Sequence, residues 1–212
     1  HIALSWGLPT MVKVYSIDGV TPVVHPTAFV HPTASLIGDV VIGPGCYVGP
    51  GASIRADFGR FEMGRGSNFQ DNCTAHGFAG EDIILGEDCN IGHGAVIHGA
   101  VLHDRVLVGM NAVVMDGVVL HDDVLVAALA FVPAAMEVPP GVIAAGTPAK
   151  VLRDLTDEEK EWKAAGNRDY HNLAVRCHES LKEVDALTEL DEPLPRIRID
   201  GSKPLYQTRK GG

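Results

Sequence analysis

The sequence predicts a parallel β-solenoid with three short faces per coil, followed by a long C-terminal α-helix. Two observations carry this. First, an aliphatic residue recurs every sixth position: Val24, Val30, Leu36, Ile42, Val48 and Ile54, then Leu85, Ile91, Ile97, Leu102, Val108, Val114, Leu120, Val126 and Val132, with the hexad from Ile97 to Val101 one residue short. Six is neither the 3.6 of a helix nor the 2 of an ordinary strand. It is the period of a chain wound into short flat faces, each aliphatic residue pointing inward and stacking on its counterpart in the next coil. Second, Thr156-Asp157-Glu158-Glu159 is a capping box, which opens a helix.

Residues 1–10 precede Met11, which reads as a natural start, and they lack the basic start and apolar core of a signal peptide. They are read as an appended leader outside the fold. Residues 11–150 form the solenoid, which ends near Gly146-Thr147-Pro148-Ala149-Lys150. Glycine, asparagine and aspartate near its corners tolerate left-handed backbone angles. Two stretches break the period, 57–62 and 77–84, and insertions in a solenoid emerge as loops, often on the binding face. Residues 151–190 carry the helix, with Trp162, Ala165, Tyr170, Leu173, Ala174, Cys177 and Leu181 as its apolar face. Residues 191–212, including Asp191-Glu192-Pro193-Leu194-Pro195 and Arg209-Lys210-Gly211-Gly212, read as an extended or disordered tail.

The chain of 212 residues is long enough to bury a core as one domain with an appendage. A formal charge of −10 disfavours nucleic acid and anionic membranes as partners. No apolar run is long enough to span a bilayer. The four cysteines, Cys46, Cys73, Cys89 and Cys177, form no C-x-x-C pair, and three occupy repeat positions where small apolar residues are expected. Reduced thiols in a cytoplasmic protein fit this usage.

The candidate site is a set of three histidines. His93 and His98 lie in Ile91-Gly92-His93-Gly94-Ala95-Val96-Ile97-His98-Gly99, and His76 ends Gln70-Asp71-Asn72-Cys73-Thr74-Ala75-His76. Three imidazoles with an open fourth position are a catalytic zinc set, and iron or cobalt suits the same ligands. His76 and His98 follow the inward residues Ala75 and Ile97, so both point outward and sit above one another. His93 has another place in its hexad and faces another side. A symmetric homotrimer resolves this, with His76 and His98 of one copy meeting His93 of its neighbour. His25, His31, His103 and His121 read as solvent-facing coil positions. Arg55 and Asp57, two apart on a strand, point the same way and can pair across an interface. Gln70 follows the inward Phe69, is expected to share a face with His76, and can orient a metal-bound water.

The series Ile54-Arg55-Ala56-Asp57, Asn68-Phe69-Gln70-Asp71-Asn72, Ala75-His76-Gly77 and Ile91 to Gly99 resembles the γ-class carbonic anhydrase family. Trp162 to Tyr170, Val108 to Gly117 and Val175-Arg176-Cys177-His178 are closer to its PaaY-type phenylacetate-degradation and CaiE-type carnitine-metabolism branches, and Val24 to Pro32 leans toward the latter. The resemblance implies a left-handed β-helix, a homotrimer and zinc between subunits. It implies His76, His93 and His98 as ligands, Arg55 and Asp57 as an interfacial pair, Gln70 beside the zinc-bound solvent, and Tyr170 reaching toward the site from the helix. The archetypal enzyme has glutamates for proton transfer where this chain has Phe58 and Ala79, with Glu81 and Asp82 nearby but offset.

The function implied first is therefore a zinc-dependent hydrolase of PaaY type, a thioesterase acting on a CoA thioester linked to phenylacetate degradation. CO2 hydration at the same site comes second. The Gly146-Thr147-Pro148-Ala149-Lys150 ending is shared with CoA-dependent hexapeptide acyltransferases, the third reading. A CaiE-like accessory or scaffold protein of carnitine metabolism is the fourth.

Overall fold

The structure is a computed structural model that describes residues 12–189 and 196–208. Residues 1–11, 190–195 and 209–212, and the readings that fall on them, lie outside the described residues. The chain winds into a left-handed parallel β-solenoid of about seven coils, closed by one long helix. Each coil has three faces. In chain order the first full coil contributes Val23–Val24 to face one, Phe29–Val30 to face two and the start of Ser35–Ile42 to face three. Cross-coil pairs are parallel, and the pairing Ile91↔Val108 is typical in joining positions about three hexads apart.

The hexad residues do what the spacing requires. Leu36, Ile54, Ile97, Leu102, Val114 and Val132 are all 0% exposed. A second inward position lies two residues earlier, where Ala28, Ala34, Cys46, Ala52, Cys73, Cys89 and Ala95 are buried and other coils place Val40, Phe61, Val106, Val118 or Val124. Each of these three thiols donates to a carbonyl on the next coil, of Gly64, Gly92 and His103 respectively. All four cysteines are free.

Faces three and one do not stay separate. The strands Ser35–Ile42 and Ser53–Met63 run continuously round their shared corner and weld both faces into a twelve-stranded sheet, leaving face two as an eight-stranded one. Residues 57–62, expected as a loop, are therefore strand. The second insertion is a true loop, but it spans 77–82, since Ile83–Leu85 is already the next strand. This loop is sewn to the first insertion: Gly80 N–H donates to Phe58 O, and Arg60 N–H donates to Asp82 Oδ1.

The helix opens at the capping box, and residues 151–154, placed with it in the sequence reading, are strand instead. Ala149–Asp154 pairs antiparallel with Val142–Gly146 as a closing hairpin, and helix α1 spans Asp157–Ser180, capped by Thr156 and Glu159 acting reciprocally. It covers face two and runs back toward the first coils. Lys163 Nζ donates to Asp123 O, Asn167 Nδ2 to Gly66 O, and His178 Nε2 reaches Ala28 O. Its buried residues are Glu159, Lys163, Asn167, Ala174 and Cys177, so the apolar face the spacing suggested is buried only toward its C-terminal part, and the polar residues Glu159, Lys163 and Asn167 are buried before it. Trp162 instead donates its indole N–H to Lys203 O, and Leu181 is the exposed C-cap. A solenoid corner presents carbonyls and aspartates, so the helix face that meets it must be polar. Apolar contact is confined to Ala174 and Cys177 against Phe29 and Tyr47, with Tyr170 and Leu173 alongside. Residues 196–204 are without regular structure and end in a short helix, Leu205–Thr208. No described helix is long and apolar enough to cross a membrane.

Candidate metal centre

His76 and His98 end the strands Thr74–His76 and Val96–His98, and they are cross-coil partners in register. Ala75 and Ile97 point into the core, so strand alternation turns both imidazoles outward. Their ring centroids lie 5.5 Å apart. Each is tied to a carboxylate: His76 Nε2 to Asp57 Oδ1 at 3.1 Å, and His98 Nδ1 to Asp116 Oδ1 at 2.6 Å. Arg55 Nη1 donates to Asp57 Oδ2 at 2.8 Å. The Arg55–Asp57 pair is thus made within one chain. Burial pushes the Asp57 carboxyl up, but the hydrogen bonds from Arg55 and His76 outweigh it and hold the group below the usual carboxylate range.

Two aromatic rings flank the pair. Phe58 lies 5.3 Å from His76 and Phe78 5.3 Å from His98, both more than half exposed. They occupy the corner between faces three and one, where the 77–82 loop emerges. Ala79 sits within that loop and Glu81 and Asp82 are exposed, so no carboxylate stands where Phe58 and Ala79 replace glutamates.

His93 lies in the corner between faces two and three. Its Nδ1 is 3.1 Å from Asp71 Oδ2, and its Nε2 is 3.5 Å from Tyr170 Oη. Tyr170 does reach the candidate residues from α1. It packs on Tyr47 at 5.4 Å, and burial pushes its phenol well above the ordinary range. Among the described residues of one chain, no three histidine, cysteine or carboxylate side chains converge as a metal-binding set. The structure brings two of the three histidines together and leaves the third at the opposite edge of the same face.

Gln70 does not share a face with His76. One hexad advances the chain by one face, so residues six apart lie on successive faces, and only those about three hexads apart are stacked. Gln70 ends face two, opening the corner that holds Asp71 and His93, and is 5% exposed. The hexad register missed Asp116. It lies one coil beyond His98, 18 residues on, and that interval is the signal that finds it. The four histidines read as coil positions have partners of their own: His25 with Thr27, His31 with Thr33, and His103 stacked on His121, which pairs with Glu137.

The geometry can be set beside known proteins. Residues 21–56 match the family described as bacterial transferase hexapeptide (six repeats). Residues 82–116 and 103–130 match the hexapeptide repeat of succinyl-transferase. The carnitine operon protein CaiE of Salmonella newport is 48% identical over 184 residues, 87% of this chain and 93% of that one. The chain belongs to the CaiE family of hexapeptide-repeat proteins. Its solenoid is similar to those of solved structures. A hexapeptide transferase family protein from Anaplasma phagocytophilum is 34% identical, with a TM-score of 0.75 over 77% of this chain and 97% of that one. A Bacillus cereus protein provisionally named an acetyltransferase is 27% identical, with a TM-score of 0.77 over 79% of this chain and 97% of that one.

Proposed function

We propose that this chain is a metal-assisted hydrolase of acyl thioesters whose site is completed between the copies of a homotrimer. One observation carries the reading. The candidate ligands are divided between the two corners that bound face three, with His76 and His98 at one corner and His93 at the other. Three copies arranged with face three toward a common axis bring one corner of each copy against the opposite corner of the next.

The residues fit a zinc ion by their chemistry. His98 and His93 each have Nδ1 held by a carboxylate, so each would ligate through Nε2, at His93 in place of its 3.5 Å contact with Tyr170 Oη, whereas His76 is held by Asp57 through Nε2 and would ligate through Nδ1. His76, His98 and His93 of a neighbouring copy would hold the ion, which supplies a Lewis acid and a bound water acidified toward neutral pH, and iron or cobalt suits the same donors. Arg55 and Asp57 fix His76. Phe58 and Phe78 wall the site and offer apolar surface to an acyl chain. Tyr170 keeps its proton at neutral pH and can donate a hydrogen bond beside His93. With Phe58 and Ala79 in place of proton-carrying glutamates, rapid CO2 hydration is disfavoured against a slower hydrolysis.

The test is metal content with complementation. Zinc is expected at one ion per chain in the trimer and is lost in His76→Ala, His93→Ala and His98→Ala. Mixing His93→Ala chains with His76→Ala/His98→Ala chains should restore both metal and hydrolysis, because some mixed interfaces combine intact halves. Metal retained by isolated monomers would sink the reading. The substrate panel should hold phenylacetyl-type thioesters and, given the likeness to carnitine operon proteins, carnitine-derived ones.

The transferase names of both family models and of the Anaplasma structure favour a second reading, acyl transfer. There His76 or His98 acts as a metal-free general base oriented by its carboxylate. Metal-stripped protein that consumes acyl-CoA only when an acceptor is added would establish that reading in place of the first.

A further inference from the structure

The outward side chains of face three change character halfway along the solenoid. Ser35, Ser53 and Thr74 are paired coil to coil on its first half, and Val96, Val113 and Phe131 continue the same column. The change falls at the coil of His93 and His98. Beyond it the corners that bound the face are apolar too. On the His93 side Met110 is 53% and Leu129 72% exposed. On the His98 side Met115 and Pro133 are half-buried and Ala134 is exposed.

Leu129 is the anomaly. Its corner position takes a left-handed backbone, with φ between 55° and 71° at Gly51, Asn72, Gly94, Asn111 and Leu129. Glycine and asparagine enter that region readily, and leucine does so under strain. The Leu129 side chain stands in solvent, so packing within its own chain does little to offset that strain. A strained residue that displays an apolar side chain, in line with an exposed methionine, marks a contact outside the chain.

The repeat tells where that contact falls. His93 and His98 are five residues apart on one coil. Met110 and Met115 are five apart on the next coil, and Ala128 and Pro133 on the one after. Backbone bonds keep the corner in line: Asn111 N–H donates to His93 O, and Leu129 N–H to Met110 O, each at 2.9 Å. A rotation about an axis parallel to the solenoid sets His93 of one copy beside His98 of the next. The same rotation then sets Met110 beside Met115, and the Ala128–Leu129 corner beside Pro133 and Ala134. Every pair it makes beyond the histidines is apolar, whereas on their other side it makes the polar pair of Asp71 and His76.

We infer that Met110 and Leu129 of one copy grip Met115, Pro133 and Ala134 of the next, an apolar clasp that holds two copies in register beside the histidines. The occupant is a second copy of this chain, because the operator that completes the histidine set already places one there. The clasp takes its register from the intersubunit reading of the site and supplies no ligand. Its consequence is that metal occupancy is controlled from two coils away, through assembly.

Leu129→Asn installs the residue type that the same column uses at Asn72 and Asn111, so the solenoid should persist with an unchanged far-UV circular dichroism spectrum. In sedimentation across a dilution series, its trimers should fall to monomers at a concentration at least about tenfold higher than the parent's, with Leu129→Met close to the parent. Zinc should leave the Leu129→Asn protein on dilution and return on concentration, since His76, His93 and His98 are intact. A Leu129→Asn trimer as tight as the parent overturns the clasp, and so does a parent that is monomeric throughout.

A cross-link tests the register directly. Co-expressed Leu129→Cys and Ala134→Cys chains, treated with a short bis-maleimide, should join to one another, and neither should join to itself. The four native cysteines are buried and shielded from the reagent. Absence of the mixed product overturns the clasp. The mixed product from chains whose parent trimer binds no zinc removes the metal reading and leaves the clasp standing.

Discussion

His98 Nδ1 lies 2.6 Å from Asp116 Oδ1 on the following coil. The contact sets the tautomer: Nδ1 carries the proton it donates to the carboxylate, and Nε2 keeps its lone pair. A neutral imidazole so oriented is a better metal ligand than a freely rotating one. Asp116→Ala should therefore weaken zinc binding about 10–100-fold while the fold persists, read by competition with a fluorescent chelator. Affinity equal to the parent's would show that Asp116 does not orient His98 toward a metal.

The stack of Leu85, Leu102, Leu120 and Val138 on face one is paired coil to coil, and Leu102 is 0% exposed within it. Leu102→Ala removes packing from the neighbours on both sides, and the parallel ladders prevent the coils from collapsing into the gap. A loss of about 2–5 kcal/mol in urea unfolding is expected. Because coils contact only their neighbours, the loss should appear also as a broader transition. A loss below about 1 kcal/mol would mean that the coils do relax.

The stack was legible in the sequence because an aliphatic residue at a nearly constant interval encodes it, and Leu102 keeps its inward place although the hexad before it is one residue short. Gln70 was misjudged by the same arithmetic. Its spacing from His76 is one hexad, which is one face, and only the three-hexad interval marks stacking. Lys163 and Asn167 were missed for a different reason. Their partners are the backbone carbonyls of Asp123 and Gly66, which leave no trace in a hydropathy pattern, so a polar helix face that is buried looks like a solvated one. The closing hairpin of Ala149–Asp154 was lost for want of a turn signal distinct from the repeat's own corners. The division of the three histidines followed from register alone, since a residue just after an inward position and one further along a hexad cannot occupy the same corner.

The three core cysteines make stability depend on alkaline pH. Burial raises the thiol of Cys46 to about 12, of Cys73 to about 11 and of Cys89 to about 12, from an ordinary 9.0. A group whose folded value is raised holds its proton in the folded state while the unfolded chain releases it. Its contribution is fully present below pH 9 and is lost as pH rises toward 11 and 12. Unfolding free energy should fall between pH 9 and pH 11, and the Cys46→Ala/Cys73→Ala/Cys89→Ala variant should fall less steeply. Lys163 acts in the opposite sense, because burial lowers its ammonium, so it is the difference between variant and parent that isolates the thiols. Identical pH slopes in the two proteins would rule the thiols out.

At the corner between faces three and one, Gly99, Gly117 and Ala135 stack at intervals of one coil, and all three are left-handed, with φ of 53°, 67° and 58°. Gly117 N–H donates to Gly99 O, and Ala135 N–H to Asp116 O. The position demands a positive φ, and two of the three coils meet that demand with glycine. Ala135 is exposed, so its methyl group adds little packing. It does carry the steric cost of a left-handed L-residue, about 1–2 kcal/mol, against which glycine loses about 0.5–1 kcal/mol in unfolded-chain entropy. Ala135→Gly should therefore stabilise the solenoid by about 0.5–1 kcal/mol, an unusual sign for a substitution that deletes atoms. The converse change isolates strain from crowding, because a methyl group on Gly117 would meet only Ala135 at 3.7 Å, an ordinary contact. Gly117→Ala should then cost about 1 kcal/mol through backbone conformation alone. Urea midpoints at constant slope measure both, and an Ala135→Gly protein less stable than its parent would show that the corner tolerates the methyl group without strain.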